Sequence, residues 1–412
     1  MYDVIVVGGG ASGLMAAGRA AECGAHVLLL EKNKTLGSKL SISGGGRCNI
    51  TNAQYDERTL LKAYGKAEQF LYSLFSKFGV KDTFIFFESR GMPLVIEANN
   101  RAFPKTQKAT DVVALLRSYV QKGKVTIKTS SPVSKVLIQD GRITAVVSGP
   151  HTYEAKQFIF ATGGFSHPET GSTGEGFRWL KELGHTTLPP TPTVVPLRAS
   201  EAWVKTIKGV SLPAVKITFY VEGKKAFSKE GKVLCTHFGV SGPLILNSAG
   251  AVGDLLYSGT VTAAIDLHPK LDFGLLEKHM LKIFDANKNK TLKNVIKELV
   301  PEGSSRGVLS LVPPTLAATK VHSISREERK LIARTLKALP LTIEGLMGFD
   351  RAVLSDGGVP PNEVDFKTMH SKKVQNLYMT GDVLNINRPS GGYSLQLCWS
   401  SGFVAGSSAA GQ

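Results

Sequence analysis

The chain has 412 residues, of which 42% are hydrophobic and 20% charged, and its net charge at pH 7 is +17. This composition is typical of a folded protein of two or three domains, and it excludes a disordered or fibrous chain. Four cysteines without a CxxC pair argue against a disulfide scaffold and a zinc ribbon, so we expect no metal site. No apolar run is long enough to span a membrane, and a strand begins too near Met1 to leave room for a signal peptide, so we expect a cytoplasmic protein.

The first predicted element is a strand over residues 4–7, which leads directly into the sequence GGGASG at 8–13. In a strand–turn–helix unit of this kind, Gly8 forms the sharp turn, Gly10 lets a pyrophosphate approach the backbone, and Gly13 lets the helix pack closely on the strand. The free N–H groups of the first helical turn then face the phosphates. The cofactor contacts predicted here are Gly8, Gly10, Ala11, Ser12 and Gly13.

A second apolar strand over residues 26–30 ends at Glu31. A carboxylate at this position of a dinucleotide-binding unit accepts hydrogen bonds from the adenosine ribose. We therefore assign Glu31 to the cofactor site, together with Lys32 and Val133.

Residues 37–52 form a glycine-rich segment that regular secondary structure would not accommodate cheaply. Such a loop suits close approach of backbone to a large planar or phosphorylated ligand, with Lys39 and Arg47 available for anions. Cys48 has two interpretations, a backbone contact that happens to be cysteine or a thiol near the cofactor. The predicted contacts in this loop are Lys39, Ser43, Gly44, Gly45, Gly46, Arg47, Cys48 and Asn49.

The next part of the chain predicts mixed structure. Apolar spacing indicates helices over 57–79 and 110–122, and short strands and turns are predicted over 84–89, 93–97 and 101–104. Residues 125–129, 133–139 and 143–147 alternate as an antiparallel meander with a turn at Asp140-Gly141. A further strand over 157–161 should return to the nucleotide site. Its predicted contacts are Ala161, Thr162, Gly163 and Gly164.

The domain organisation is predicted from changes in composition and hydrophobic pattern along the chain. Prolines from residue 189 mark a boundary, and strand-like alternation after it predicts an inserted β-rich domain. We predict a discontinuous cofactor-binding domain over 1–188 and 353–412, an inserted β-rich domain over 189–272 and 338–352, and a helical subdomain over 273–337.

The C-terminal segment completes the predicted site. A strand over 374–379 leads to Gly381-Asp382, which places a carboxylate against a sugar-alcohol chain. The pair Gly391-Gly392 opens a helix whose N–H groups can stabilise a carbonyl that becomes negative on reduction. These features favour FAD over NAD as the bound cofactor. The predicted contacts are Gly381, Asp382, Gly391, Gly392, Tyr393, Ser394 and Leu395.

Over essentially its whole length the sequence resembles the BaiN/YhiN-type FAD-dependent flavoproteins, also known as aminoacetone-oxidase-family and NAD(P)/FAD-dependent oxidoreductases. The resemblance rests on GGGASGLMAA at 8–17, KLSISGGGRCNITN at 39–52, ATGG at 161–164, HFGVSGPLIL at 237–246 and TGDVLNINRPSGGYSLQ at 380–396. It implies an α/β fold, with a Rossmann-like FAD-binding domain of the two-dinucleotide-binding-domain type and inserted β-barrel-like and small helical domains.

Three functions are compatible with the sequence. The first is an FAD-dependent oxidoreductase that transfers a hydride between flavin and a small or medium organic substrate, with NADH, NADPH or oxygen as the redox partner. The second is an FAD-containing protein that modifies tRNA or binds RNA, which the +17 charge suggests. The even spread of charge disfavours nucleic acid, and the lysine-rich stretch 278–297 is better interpreted as a solvated surface. The third is a flavin-free nucleotide sensor.

Two residues are candidates for catalysis. If Gly391-Gly392 open a helix against the flavin, residues 387–393 should pass its edge and form one wall of a pocket under the inserted domain. Arg388 could then hold an anionic substrate and Tyr393 could donate a proton. The alternatives are that Arg388 pairs with an acid at a domain interface and that Tyr393 is a core residue, and His237 is a weaker candidate. The substrate and the oligomeric state stay open.

Overall fold

The structure is a computed structural model that describes residues 1–412. The chain forms two compact units, one made of Met1–Pro192 with Val353–Gln412 and the other of Thr193–Ala352. The first crossing between these two units lies at 192–193, and the three-part domain division predicted from the sequence stays a prediction. None of the helices has the length and apolar character required to cross a membrane.

The first 192 residues supply most of the first unit. Its strands here are β1 (Tyr2–Val7), β2 (Val27–Leu30), β3 (Thr51–Asn52), β4 (Leu94–Glu97), β5 (Arg101–Pro104), β6 (Thr126–Lys128), β7 (Lys135–Gln139), β8 (Arg142–Ser148), β9 (His151–Phe160) and β10 (Leu188–Thr193). Its helices here are α1 (Ala11–Glu22), α2 (Ser38–Ser41), α3 (Glu57–Lys62), α4 (Glu68–Lys77), α5 (Val80–Glu88), α6 (Ala109–Lys122) and α7 (Glu175–Glu182).

The second unit combines a closed barrel with a helical segment. Its strands are β11 (Leu197–Ala199), β12 (Ser211–Val221), β13 (Lys224–Cys235), β14 (Gly239–Ser241), β15 (Val261–Asp266) and β16 (Leu339–Leu346), and the barrel closes in the order β11-β14-β13-β12-β15-β16. Its helices are α8 (Ala202–Thr206), α9 (Pro243–Leu246), α10 (Ala249–Leu256), α11 (Phe273–Ala286), α12 (Leu292–Val295), α13 (Ser305–Leu309), α14 (Pro314–Ala318) and α15 (Arg326–Lys337). The helices α11 to α15 are thus inserted between the last two barrel strands.

The C-terminal residues return to the first unit. They form β17 (Leu354–Gly358), β18 (Val364–Asp365), β19 (His370–Ser371), β20 (Leu377–Met379) and the long helix α16 (Tyr393–Ala409). The main sheet has the order β18-β19-β20-β9-β1-β2-β6, and β1 pairs parallel with both β2 and β9. Parallel strands covered on both faces are apolar throughout, which explains the unbroken apolar runs of β1 and β2. The predicted fold class, a Rossmann-type α/β domain with an inserted barrel, is confirmed.

Helices α1 and α16 pack against each other through small residues. A Cβ atom at Gly402 would overlap the carbonyl oxygen of Ser12, and one at Gly406 would overlap that of Ala16. The distance between two packed helices is set by the side chains at their contact, so glycine at both positions allows a close approach. The C-terminal helix is thereby held against the helix that follows the first glycine turn.

Three local predictions are wrong, each for a physical reason. Residues 84–89 are predicted to form short strands and turns, but residues 84–88 belong to α5, because a short apolar run cannot distinguish a buried strand from a buried helix. The single helix predicted over 57–79 is broken into α3 and α4, with Gly65 at a positive φ of 53° between them. Residues 125–129 are not part of the antiparallel meander, since β6 pairs parallel with β2. The hairpin at Asp140-Gly141 forms as predicted.

Candidate flavin site

The three glycines of the β1–α1 turn have three different environments. Gly8 has a φ of 107°, in the left-handed region that favours glycine, and a Cβ there would overlap the Ala161 carbonyl oxygen. A Cβ at Gly13 would overlap the Gly8 carbonyl oxygen, so only glycine lets α1 sit this close to the strand. By contrast, a Cβ at Gly10 would meet nothing within 4 Å. The open side of the turn is therefore at the residue where the sequence predicted the approach of a pyrophosphate.

The N-terminus of α1 is electrostatically suited to an anion. Gly10 is its N-cap residue, no side chain caps the helix, and its first turn contains no acidic residue. The first N–H groups of a helix have no intrahelical partner, and the helix dipole adds partial positive charge there. These properties fit a pyrophosphate, the group that joins the two halves of FAD.

Glu31 is buried and already bonded to the backbone around the turn. One of its carboxylate oxygens accepts from the N–H of Gly9 at 2.7 Å and the other accepts from the N–H of Asn33 at 2.8 Å. A carboxylate has about four lone-pair positions, so these bonds leave capacity for a ribose hydroxyl. Its carbonyl accepts from the N–H of Ser131, which brings the segment containing buried Val133 to the end of β2.

The three cationic side chains assigned to the cofactor site are all paired with acids, Lys39 with Asp382 as described below. Lys32 forms an ion pair with Glu175 at 2.9 Å, and Arg47 forms one with Glu97. The Arg47 guanidinium also lies over the ring of Phe103, 4.1 Å from its centroid. Neither side chain is free to neutralise a phosphate in this arrangement, so their predicted roles stay predictions.

The glycine-rich loop is exposed and has unusual backbone geometry. Gly44, Gly45 and Gly46 have φ angles of 58°, 68° and 82°, three consecutive residues in the left-handed region. Only glycine occupies this region without cost, so the run of three glycines is required by the shape of the loop. The Gly46 N–H donates to the Ile42 carbonyl at 3.3 Å, so the loop satisfies part of its own backbone.

Cys48 lies at the buried end of this loop. Burial raises the pKa of its thiol to about 12, so the thiol is protonated at neutral pH and cannot act as a nucleophile. Its backbone N–H donates to the Ser43 carbonyl at 3.0 Å. Beside it, the side-chain amide of Asn49 donates to the Thr51 and Ala102 carbonyls and accepts from the N–H of Gly392 at 3.0 Å. These contacts favour a structural role for both residues.

Asp382 is the carboxylate at the centre of the C-terminal half of the site. It forms a buried ion pair with Arg388 and a second pair with Lys39 at 3.3 Å. Burial opposes ionisation of Asp382, but the charges of Arg388 and Lys39 outweigh it and hold its pKa below the ordinary value. Lys39 also donates to the Ser166 hydroxyl, a residue that the sequence analysis missed because nothing local marks it. Asp382 is therefore an ionised acceptor.

Arg388 does not have either environment considered from the sequence. Its side chain is 1% exposed and donates to the Ile386 carbonyl and to the Ser394 hydroxyl, the latter at 3.2 Å, as well as to Asp382. Its partner is thus the site's own carboxylate, not an acid at a domain interface. Through its terminal nitrogen Nη2, the buried guanidinium contacts Asp382 and the start of α16.

Tyr393 begins α16 and is half-buried. Its ring lies edge-to-face against Tyr64, with centroids 5.9 Å apart, and its carbonyl accepts from the Tyr64 hydroxyl at 2.8 Å. Burial raises the pKa of the Tyr393 phenol. Gly392 precedes it as the N-cap, with no side-chain cap and no acid in the first turn of the helix. His237 lies in the second unit, packed edge-to-face on Phe238.

Gln396, which the sequence analysis missed, ties this helix to the rest of the unit. Its side-chain oxygen accepts from the hydroxyls of Thr51 at 2.6 Å and Thr83 at 3.0 Å, and its nitrogen donates to Ser400 at 3.1 Å. Nothing local distinguishes this glutamine from the serines of the same helix, so the sequence did not indicate its role.

Several buried polar atoms near the strand ends lack a partner. They are the hydroxyls of Thr162, after β9, and Thr380, after β20, and the Nε of Arg388. A buried polar atom without a hydrogen bond is costly, and a polar ligand is one way to satisfy it. Together with the open side of Gly10 and the uncapped N-termini of α1 and α16, these atoms fit a large polar cofactor such as FAD.

The two halves of the site meet at the N-terminus of α1. A Cβ at Gly381 would lie 2.7 Å from the Ser12 hydroxyl oxygen, and the Gly381 N–H donates to the Ser401 hydroxyl at 3.0 Å. The turn after β1 and the Gly-Asp after β20 are therefore direct neighbours.

The sequence profile of the HI0933-like protein Rossmann domain family matches residues 2–408. This chain belongs to the HI0933-like family.

Curated relatives cover the chain almost completely. A 3-dehydro-bile acid delta(4,6)-reductase of Clostridium scindens is 28% identical, over 100% of this chain and 99% of that protein. A ribosomal RNA dihydrouridine synthase of Escherichia coli is also 28% identical, over 98% of this chain and 96% of that protein.

A solved structure has the same fold. The 3-ketosteroid-delta4-(5alpha)-dehydrogenase of Rhodococcus jostii RHA1 has a TM-score of 0.56 at 15% identity, and the match covers 100% of this chain and 97% of that one. The first unit of the HI0933-like chain is a Rossmann-type FAD-binding domain, and the chain is an FAD-dependent oxidoreductase.

Proposed function

We propose that this chain reduces a carbon–carbon double bond conjugated to a carbonyl group, with NADH or NADPH as the electron donor to FAD. The observation that supports the FAD part of the proposal is the close approach of Gly381 to Ser12, which makes the two predicted halves of the cofactor site neighbours in one unit. An FMN protein would need neither the pyrophosphate turn at Gly10 nor the ribose acceptor Glu31, because FMN lacks the AMP part of FAD.

The residues that would hold FAD divide along the cofactor. The N-terminus of α1, opened by Gly10, would bind the pyrophosphate, and Glu31 would bind the ribose. Ionised Asp382, fixed by Arg388 and Lys39, would accept from the ribityl hydroxyls. The N-terminus of α16 would stabilise negative charge at the ring carbonyl. When bound, FAD supplies the hydride chemistry, while these residues bind and orient it.

The substrate class is taken from what the relatives have in common. One is named a delta(4,6)-reductase and another a dihydrouridine synthase, and both names describe adding hydrogen across a carbon–carbon double bond. A steroid-like enone and a uracil differ in size, but each has a double bond conjugated to a carbonyl. We therefore propose the reaction type and leave the carbon skeleton to experiment.

NADH or NADPH would reach the flavin although the chain has no second nucleotide-binding motif for it. No second GxGxxG follows a strand and opens a helix in this sequence. NADH or NADPH would then bind transiently at the flavin and leave before the acceptor enters.

The test is a set of anaerobic titrations of the purified holoenzyme. The flavin is first released and identified, and we expect FAD. NADH or NADPH should then bleach the flavin, and an enone steroid or a uracil-containing RNA should restore its colour with formation of the saturated product. The proposal fails if neither nicotinamide bleaches the flavin, or if only oxygen restores the colour.

A second candidate function is reduction of uracil within RNA, which the +17 charge and the name of the E. coli relative favour. It shares the flavin chemistry of the first and differs only in the acceptor. Dihydrouridine measured by mass spectrometry in an RNA transcript, after incubation with enzyme and NADPH, would distinguish it from reduction of a small enone.

A further inference from the structure

A group of basic side chains comes together in the helical part of the second unit. Two segments meet there through an antiparallel bridge between Thr291 and Lys320. The Leu292 N–H donates to the Thr319 carbonyl and the Val321 N–H donates to the Lys290 carbonyl, both at 2.9 Å. The bridge brings together side chains that the sequence separates, and we name them the basic cluster: Lys288, Lys290, Lys293, Lys320 and His322.

The basic cluster is not neutralised by the protein. Residues 286–297 and 303–326, the two segments that meet, contain no aspartate or glutamate. None of the four lysines forms an ion pair, and all of them are exposed. Lys290 donates only to the side-chain oxygen of Asn287, whose nitrogen in turn donates to Glu298 at 3.2 Å. Like charges on two bridged segments repel each other, and a bound external anion would relieve that repulsion.

The geometry of the cluster is fixed by its backbone. The His322 imidazole bonds through Nδ1 to the Lys288 carbonyl at 2.6 Å, which leaves its Nε2 edge available to a ligand. Asn289 and Asn294 are exposed between the lysines and offer further hydrogen-bonding groups. Lysine, asparagine and histidine on a fixed backbone are the groups that contact phosphates and sugar hydroxyls in nucleic acids.

The surface lacks the features of two other anionic partners. Neither segment contains an exposed large hydrophobic side chain, and a membrane-binding surface needs such side chains to enter the lipid. The same absence leaves no aromatic ring for the stacking of unpaired bases, which is how single strands are bound. A partner recognised by its backbone phosphates and hydroxyls is therefore the best match, as in double-helical RNA.

We propose that the basic cluster binds the sugar–phosphate backbone of a double-helical RNA segment, and that it acts as a docking surface outside the FAD-binding unit. The proposal develops the second candidate function above. It makes no use of the flavin chemistry, so the two can fail separately. The sequence predicts the lysine-rich stretch 278–297 to be a solvated surface, whereas this proposal assigns part of it to RNA binding.

The test compares two variants of the holoenzyme that lose the same charge. In the first, Lys288, Lys290, Lys293 and Lys320 are changed to Gln. In the matched control, four exposed lysines elsewhere in the second unit are changed to Gln, namely Lys208, Lys224, Lys225 and Lys232. Binding is measured with a fluorescent RNA hairpin, an unpaired RNA strand, a DNA hairpin of the same sequence and vesicles containing an anionic phospholipid, over a range of salt concentrations.

We expect the wild type to bind the RNA hairpin best, with a steep dependence on salt. The cluster variant should lose at least about tenfold in affinity, and the salt dependence should fall by about one counterion per contacting lysine, while the control stays near wild type. Equal losses in both variants, equal binding of the DNA hairpin, or preference for the vesicles or the unpaired strand would overturn the proposal. Flavin content and bleaching by NADPH, measured on every variant, should be unchanged, which separates this test from that of the flavin reaction.

Discussion

Arg388 and Asp382 form a buried ion pair inside the flavin-binding unit, between a side chain that the sequence assigned to substrate and one that it assigned to the cofactor. The pair is six residues apart in sequence, yet it joins the turn after β20 to the segment that leads into α16. Because Arg388 is bonded to Asp382, Ile386 and Ser394, we expect it to position these groups, and its predicted contact with substrate stays a prediction.

We predict that this pair is strongly coupled. Asp382→Asn should destabilise the protein by about 3–5 kcal/mol, because it leaves the buried Arg388 charge uncompensated. Arg388→Met should cost less, because Lys39 still faces Asp382. The double variant should lose clearly less than the sum of the two. Urea unfolding of the four proteins measures the coupling, and strictly additive losses would contradict the account.

The glycine turn gives a matched pair of predictions. Gly10→Val should fold with near-wild-type stability and lose FAD, since the new side chain enters open space on the ligand side of the turn. Gly13→Ala should destabilise the protein itself, because its Cβ would overlap the Gly8 carbonyl oxygen. Flavin content and thermal unfolding are measured for both. A Gly10→Val protein that retains FAD at wild-type affinity would show that the pyrophosphate lies elsewhere.

We expect the Cys48 thiol to take no part in the flavin reaction. Its raised pKa, about 12, keeps the thiol protonated, so Cys48→Ser should show normal bleaching by NADPH and normal reoxidation. An alkylating reagent at pH 8 should not label Cys48 in the folded protein. Slow turnover of the serine variant with full flavin occupancy would instead assign the thiol to the reaction.

The same raised pKa has a consequence for stability at high pH. Below the ordinary pKa of a thiol, Cys48 is protonated in both states and the folded protein keeps its full stability. Above it, the unfolded chain loses its proton first, and Cys48 should contribute a fall of about 1.4 kcal/mol per pH unit until the pH reaches the folded value. Cys235 and Cys398, whose pKa values are also raised to about 12, add to the total slope. Cys48→Ala should reduce that slope, and an unchanged slope would contradict the assignment.

A second buried network predicts sensitivity to acid. His185 bonds to Glu363 at 2.7 Å and to Ser371 at 2.8 Å, and burial lowers the pKa of the imidazole. Burial opposes ionisation of Glu363, but its bonds to Lys373, Thr186 and His185 outweigh this and lower its pKa to about 2.

The pKa values of His185 and Glu363 are both lower in the folded protein than in the unfolded chain. The unfolded chain therefore binds these protons at a higher pH than the folded protein does. Stability should therefore be lost below the ordinary imidazole pKa and then further below the ordinary carboxyl pKa, down to about pH 2. Glu363→Gln should remove the second part of the loss. Thermal unfolding between pH 3 and pH 8 measures this, and parallel curves for the two proteins would contradict it.

The parts of the fold that could be predicted are those encoded locally. The strand, glycine turn, helix and second strand ending at Glu31 lie within a continuous stretch, and their spacing alone identifies the unit. The α5 helix was missed because its apolar run, residues 84–87, suits a strand equally well. Its capping contact, Asp82 to the Gly79 N–H at 2.8 Å, is not visible as a strong sequence signal.

The pairing of charged residues could not be predicted for a different reason. Lys39 and Asp382 are far apart in sequence, and only the return of the C-terminal segment brings them together. Sequence indicated the types of residue in the flavin site, but tertiary structure decides which cation neutralises which acid. Arg47 and Lys32 show the same limit, since each is paired with an acid that the sequence does not mark.

The most direct test of the central claim is a single-turnover experiment on the holoenzyme. The flavin is reduced anaerobically without NAD(P)H and mixed with an acceptor that has a double bond conjugated to a carbonyl, and with its saturated analogue as the control. We predict that only the unsaturated acceptor reoxidises the flavin, with one equivalent of product that is heavier by two hydrogens. If neither acceptor reoxidises FAD while oxygen does, or if the product is unchanged in mass, the chain is not a reductase of this class.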